Sequence, residues 1–579
     1  MNTPIQKTLT QTLTLLCALS VSALNVFAQN LIVTSDTTVS GTHYENNGND
    51  YAALTNTGSW TFTGSDVTLT AAGGYYSLGG RGAYFTGGGK LNLTDSAISA
   101  DGNYAMYFSN SSAATLDNVN IISDGDYGIY MAGSGTLKMT GGTISNRSDN
   151  AVSLDGLSVA TLDNANISGR LGISAYASAL TVTGGTINGT NTGLSLNDGT
   201  TKLDDVNIIS DGGYGIYTSA ATLTVIGGTI SGDSYGIYTH GSNITLDDVN
   251  IISVGEAGIH ASGTLKMTGG TISGAYYGIE INNGGTATVN NVNITTSNGI
   301  HMEDNKSTLT MTDSAINADR LGINLSGSTA VTLNNTTVTV TSASGYGVNL
   351  YNSSTLTLTD SAISATGSNA RGLYVSYNEK SSTHTVNLNH STLAGGIYNI
   401  EASGDVSLGL IITASDGSTI TGDVISTQNA VVQITLTDAG TALRGNLIQD
   451  PNGAITLTIG ADALLEGGGT VSNLIMDTGA ILGYTDELTV TTSITIGDGI
   501  IIDFSGLTAT GDYTVLDWSG ATGGESISDD QFTIAGDGVE GTFNVDNGKL
   551  VFNATAVPEP STWFLIGLGL GTLALIRRR

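Results

Sequence analysis

A single cysteine, Cys17, occurs in 579 residues, inside an N-terminal apolar run. The rest of the chain has no disulfide to form, so packing and ladder hydrogen bonds must hold it together. Basic residues are also scarce: 17 Lys and Arg stand against 49 Asp and Glu, a net charge of −32. Lys7, Arg577, Arg578 and Arg579 lie in the end segments, which leaves 13 bases for the body. No basic patch is available to neutralise phosphates, and nucleic-acid binding is not expected. Such an acidic surface stays soluble, repels its own copies, attracts divalent cations weakly and suits an exported protein. Only 4 prolines accompany 80 glycines, with abundant Thr, Ser, Asn, Val and Ile. That mixture favours strands joined by tight turns, with Gly and Asn supplying the positions of positive φ. Helix-rich packing is not expected, and the aliphatic content argues against disorder.

What the chain does have is a repeat. Gly128-Ile129-Tyr130 returns as Gly215-Ile216-Tyr217 and Gly236-Ile237-Tyr238, and looser copies start at Gly82, Ala105, Ala151, Gly172, Gly193, Gly258, Gly278, Gly299, Gly322, Gly347 and Gly372. Successive anchors are 20 to 25 residues apart, the regularity of a solenoid. One position after the anchor the residue is apolar (Met106, Ile129, Ile216, Ile237), as it is three positions after in most copies (Phe108, Met131, Leu325). Between them lie Tyr, Ser, His, Glu or Asn. Apolar–polar–apolar alternation marks a half-buried strand. About 22 residues give room for three short strands and three turns per coil, stacked about 4.8 Å apart. The expectation is an all-β, right-handed parallel β-helix.

A second regularity doubles the period. Leu137–Ile144 returns at Leu180–Ile187, Leu223–Ile230 and Leu265–Ile272, while the coils between carry Asp117, Asp163, Asp204 and Asp247, each followed by Asn or Asp. Gly135–Ser145 and Gly263–Ser273 are identical, which points to duplication of a shape. The recurring Asp residues therefore read as turn residues.

Both ends look like addresses. Lys7, the apolar stretch Leu13–Leu24 and Val26-Phe27-Ala28 form a secretory signal, 1–28, cut after Ala28. At the other end, Val557-Pro558-Glu559-Pro560, an apolar run to Ile576 and Arg577-Arg578-Arg579 resemble the PEP-CTERM sorting signal of Gram-negative bacteria. The resemblance implies processing by an exosortase, cleavage near Pro-Glu-Pro, and a setting among exopolysaccharide producers. A short hydrophobic helix within 557–579 is then expected as a membrane span, with the arginines on the cytoplasmic side. Its Gly567, Gly569 and Gly571 imitate a nucleotide fingerprint, but no strand–helix unit surrounds them.

Between these ends the expected organisation is β-helix repeats over 29–410, a looser stretch over 411–500 and a strand-rich C-terminal cap over 501–556. The coils and the looser stretch resemble the passenger region of autotransporter adhesins, whose closing membrane barrel has no counterpart in this sequence. The resemblance implies a structural or adhesive surface protein, membrane-anchored in the envelope or released into the extracellular matrix.

Three sets of residues are candidates for chemistry. His260, Glu280 and His301 occupy one outward column on consecutive coils, a spacing that suits a metal or an acid–base cluster. A straight column does not converge on an ion, so it reads as an exposed polar stripe, and neither metal nor cofactor is expected. Tyr84, Tyr107, Tyr130, Tyr217, Tyr238 and Tyr374 share that face and could stack on sugar rings, or simply on one another. Gly232-Asp233-Ser234-Tyr235-Gly236 matches a nucleophile-elbow pattern by chance, since Gly236 is a repeat anchor. The leading expectation is a non-catalytic surface protein binding extracellular polysaccharide. The alternative is a carbohydrate-active enzyme resembling the pectin-lyase class, with Glu280 central.

Overall fold

The computed structural model describes residues 27–29, 31–46, 52–72, 80–303, 306–376, 382–399, 408–427 and 429–557. The signal segment up to Val26 and the sorting signal from Pro558 lie outside them, and so does the expected C-terminal helix. Among the described residues strands dominate, the single helical turn is the 3-10 segment Asp529–Gln531, and no helix is long and apolar enough to cross a membrane. The chain divides into two compact units, 1–180 and 181–579.

In the first unit each coil contributes three strands, as Tyr127–Ala132, Thr136–Thr140 and Thr143–Asn146 do. Each pairs in parallel with its counterpart one coil on: Ile129 with Val152, Leu137 with Ala160, Ile144 with Ile167. Inward side chains consequently stack on their own kind. Phe85 and Phe108, both fully buried, pack ring on ring at 5.4 Å.

The second unit repeats the plan. Leu194, Ile216, Ile237, Ile259, Ile279, Ile300 and Ile323 form one inner column. Ile208, Ile230, Ile251 and Ile272 form another, from the third strands. The parallel pairing continues through the stretch after residue 410, where Thr419, Ala442, Leu464 and Ile481 are successive partners. It ends in an antiparallel arrangement: Lys549–Ala556 pairs with both Gly511–Asp517 and Glu540–Asp546. A parallel stack leaves an open strand edge at its end, and here Lys549–Ala556 of an antiparallel hairpin pairs with the edge of Gly511–Asp517.

The turn between the second and third strands explains the doubled period. Asn118 (φ 51) and Asn164 (φ 51) are left-handed in one coil type, and Gly141 (φ 62) with Gly142 (φ 75) in the other. Each turn amide donates to the next coil: Asn118 N to Thr140 O at 2.8 Å, Gly141 N to Asp163 O at 2.8 Å. A Cβ on Gly142 would stand 2.2 Å from the Val119 carbonyl oxygen, so the Gly-Gly turn nests on the Asn-Val turn before it. Asp117 and Asp163, which both flank Thr140 in register, end the second strands beside these turns.

Asn118 also donates through Nδ2 to Asp95 Oδ1 at 2.7 Å. An Asn118→Val variant forces a β-branched residue into the left-handed region and loses that bond, which is expected to cost about 2 kcal/mol. A urea titration of the variant beside the parent reads the difference.

Candidate functional site

The anchor strands set the site. Their burial does not simply alternate: in Tyr127–Ala132 the second and third residues are both buried, and both neighbours, Tyr127 and Tyr130, are half-buried. The anchor glycine turns inward onto the third strand, and alternation slips by one residue there. Two side chains per coil therefore reach the same outer face, the one before the anchor and the one two after it. Strict alternation from the anchor finds only the second. Tyr104, Tyr127, Tyr214, Tyr235, Tyr277 and Tyr346 were missed for that reason, although the recurring Tyr-Gly-Ile-Tyr string carries the signal.

In the first unit Tyr84, Tyr107 and Tyr130 stack at 5.1 and 5.6 Å, and Tyr104 stacks on Tyr127 at 5.4 Å beside them. Arg81, buried, lies over the rings of Tyr84, Tyr104 and Tyr107 at 4.7, 5.2 and 5.1 Å, a cation–π cap for the cluster. Tyr130 donates its hydroxyl to Asp155 Oδ2 at 3.3 Å. Desolvation, together with the Asp155 charge and hydrogen bond, pushes the Tyr130 phenol up to about 12, so it stays a neutral donor. The stack then steps down to Ser153, the next residue in register, and the ring of Tyr130 has no aromatic neighbour on that side.

In the second unit the ladder begins by stepping up from Ser195 to Tyr217. Tyr217 and Tyr238 stack at 5.8 Å, and His260 follows at 4.2 Å with nearly parallel rings. Tyr235, whose hydroxyl donates to Glu256 Oε2, stands edge-on to His260. Farther along, Tyr374 stacks between Tyr346 at 4.2 Å and Tyr398 at 6.0 Å.

The column His260, Glu280, His301 exists in register, His260 opposite Glu280 and Glu280 opposite His301. Its exposure differs from expectation. His260 is only 6% exposed, covered by the Tyr238 ring, and its Nε2 is 2.7 Å from Asn282 Nδ2. Burial holds its imidazole below the ordinary range. His301, stacked under Tyr277 at 4.9 Å, is likewise held down by desolvation. The Glu280 carboxyl is pushed up, first by desolvation and then by the charges of Glu303 and Glu256. His260 is thus a packed aromatic of the ladder. Glu303, overlooked because it follows the strand end by one residue, joins the other two: ligand atoms of Glu280, His301 and Glu303 lie within 4.8 Å of one another.

The nucleophile-elbow match dissolves on inspection of the backbone. Ser234 sits in a corner, its amide donating to Gly213 O at 2.9 Å, and is followed by the strand Tyr235–His240. A shallow depression lined by Thr435, Thr437, Thr458 and Asp477 belongs to other coils and gathers no catalytic set.

The family model described as right handed beta helix region matches residues 81–230, 171–316 and 235–408, together more than half of the chain. The chain belongs to the right-handed β-helix family. The PEP-CTERM protein-sorting motif matches residues 556–579. No curated protein matches the sequence significantly. This β-helix protein therefore carries a sorting signal of the kind processed by exosortase-type enzymes, which marks an exported protein sorted to the cell envelope. Val557 is the only sorting residue among those described; Pro558, Glu559, Pro560, Arg577, Arg578 and Arg579 lie outside them, as does the expected membrane span.

Proposed function

We propose that this β-helix protein is a non-catalytic surface protein that binds extracellular polysaccharide along its tyrosine-bearing face. The supporting observation is the form of the ladders. Within a ladder each ring face is taken by the ring of the next coil, so the stack offers its edges and hydroxyls. At the steps to serine, Tyr130 beside Ser153 and Tyr217 beside Ser195, one face is left without a ring, and the small neighbour leaves room for a pyranose. A row of fixed phenol hydroxyls beside such a step suits the equatorial hydroxyls of a glycan, and the ladder holds it at no cost in side-chain ordering. Envelope anchoring would put this face where secreted glycan accumulates, before or after exosortase processing.

Affinity electrophoresis of the full-length protein in gels containing neutral and acidic polysaccharides tests the reading. Tyr130→Ala and Tyr217→Ala are each expected to weaken binding about three- to tenfold. Tyr238→Ala, inside a ladder, is expected to act mainly on stability. Retardation unchanged in both step variants contradicts the proposal. The pectin-lyase-like alternative rests on the raised carboxyl of half-buried Glu280. It predicts new reducing or unsaturated ends that vanish in Glu280→Gln, and their appearance would replace the binding reading with an enzymatic one.

A further inference from the structure

The group Glu280, His301 and Glu303 removes the objection that a straight column cannot converge. Glu280 comes from one coil, while His301 and Glu303 lie two residues apart on the next and point to the same side. The three ligand atoms form a triangle and not a line. His301 Nε2 and Glu303 Oε2 are 3.8 Å apart, beyond hydrogen-bond reach. Two ligands on a tetrahedral zinc, each about 2.1 Å from the metal, stand about 3.4 Å apart. Glu303 is 56% exposed at its side chain and free to close that difference.

A second observation lies behind the imidazole. Asn324 Nδ2 is 2.9 Å from His301 Nδ1, Asn349 Nδ2 is 2.8 Å from Asn324 Oδ1, and Ser376 Oγ is 3.2 Å from Asn349 Oδ1. His301, Asn324 and Asn349 are outward residues of successive anchor strands, stacked in register, and Ser376 stands on the next strand two residues beyond the partner of Asn349. Each amide reads equally well turned over. In the reversed sense His301 Nδ1–H donates to Asn324 Oδ1, Asn324 Nδ2 to Asn349 Oδ1, and Asn349 Nδ2 to Ser376 Oγ. Nε2 then presents its lone pair to the two carboxylates. A half-buried amide relay that fixes tautomer and ring orientation is the kind of support a metal-binding histidine uses.

We infer that Glu280, His301 and Glu303 form a binding site for one divalent transition-metal ion, with Asn324 as the positioning residue behind His301. An imidazole beside two carboxylates favours zinc or a similar ion over calcium, which takes six or more oxygen ligands. Three protein ligands leave at least one position for water or for a group from outside.

The test is zinc uptake by the full-length, untagged protein, measured by competition with a chromophoric chelator and by metal analysis after dialysis. One zinc per chain is expected, not displaced by a hundredfold excess of calcium. Glu280→Gln and His301→Ala should each weaken it at least tenfold, and Asn324→Ala about tenfold through loss of orientation. His390→Ala, at an exposed His–Asp pair on another turn, should leave it unchanged. Circular dichroism and melting without metal identify any variant that fails to fold, and Glu303→Gln, at the exposed corner, then carries the test. Absence of stoichiometric zinc, zinc displaced by calcium, or uptake equal in Glu280→Gln, His301→Ala and Glu303→Gln overturns the site in favour of diffuse attraction to the acidic surface.

Discussion

Replacing Gly236 with valine is expected to lower local stability by about 3 kcal/mol or more, the upper end of what overpacking costs in a close-packed interior. The backbone of Gly236 needs no left-handed conformation; the demand is for space. A Cβ there would stand 2.4 Å from Ile251 Cγ2 and 2.6 Å from the Gly258 carbonyl oxygen. One neighbour is a fully buried side chain of the third strand and the other is backbone of the next coil. Gly215 and Gly258 meet the same two kinds of atom, at 2.6 to 2.8 Å and at 2.3 to 2.8 Å respectively. Ala105 and Ala151 occupy the position in two coils of the first unit, so a methyl can be accommodated by repacking, whereas a branched side chain cannot. Coils contact mainly their neighbours, so the damage should be local. Hydrogen exchange should accelerate in Tyr214–Ser219, Tyr235–His240 and Ala257–Ala261 and remain slow in distant coils. Exchange identical to the parent in those three strands would show that the inward slip at the anchor is not needed.

Acidification should reveal a comparable effect at His384. The residue is fully buried, and its Nδ1 accepts a hydrogen bond from Ser354 N at 3.2 Å. Among the described residues no partner meets Nε2, and desolvation lowers its pKa to about 4. An unfolded chain titrates its histidines near 6.5. Above that value both states are neutral and stability is unaffected. As pH falls from 6.5 towards 4 the unfolded chain binds a proton that the folded chain refuses, and stability declines by up to about 3 kcal/mol before levelling off. Acidic side chains titrate over part of the same range, so the informative quantity is the difference from His384→Gln, which keeps an acceptor for Ser354 N–H but cannot charge. Urea midpoints measured from pH 7 to pH 4 should converge or cross for the two proteins as the pH drops. Parallel curves would mean that the imidazole titrates in the folded chain as it does in the unfolded one, and so is solvated.

The repeat was legible because a solenoid writes its register into the chain. Ile216 and Ile237 are one period apart in sequence and adjacent in space, so column-by-column reading reproduces the pairing observed within each unit. The Asp-Asn and Gly-Gly alternation was likewise visible, and Asn118 and Gly141 show its cause in two turns that nest on each other. The outer face was harder. Only the inward turn of the anchor glycine shows that Tyr127 joins Tyr130, or that Tyr235 covers His260. His260 itself illustrates the limit: its column position was right, yet the ring of Tyr238 one coil earlier decided whether water reaches it.

Sequence alone was sufficient for everything periodic in this protein: strand-and-turn chemistry, the length of a coil and the inward aliphatic columns. Each follows from local residue preference repeated at constant spacing, which needs no knowledge of the third dimension. The tertiary structure decided what happens between side chains at unlike positions, the slip at the anchor, the burial of His260 and the approach of Glu303 to Glu280. Those meetings depend on where a strand ends and how far a long side chain reaches, quantities that a spacing count does not contain.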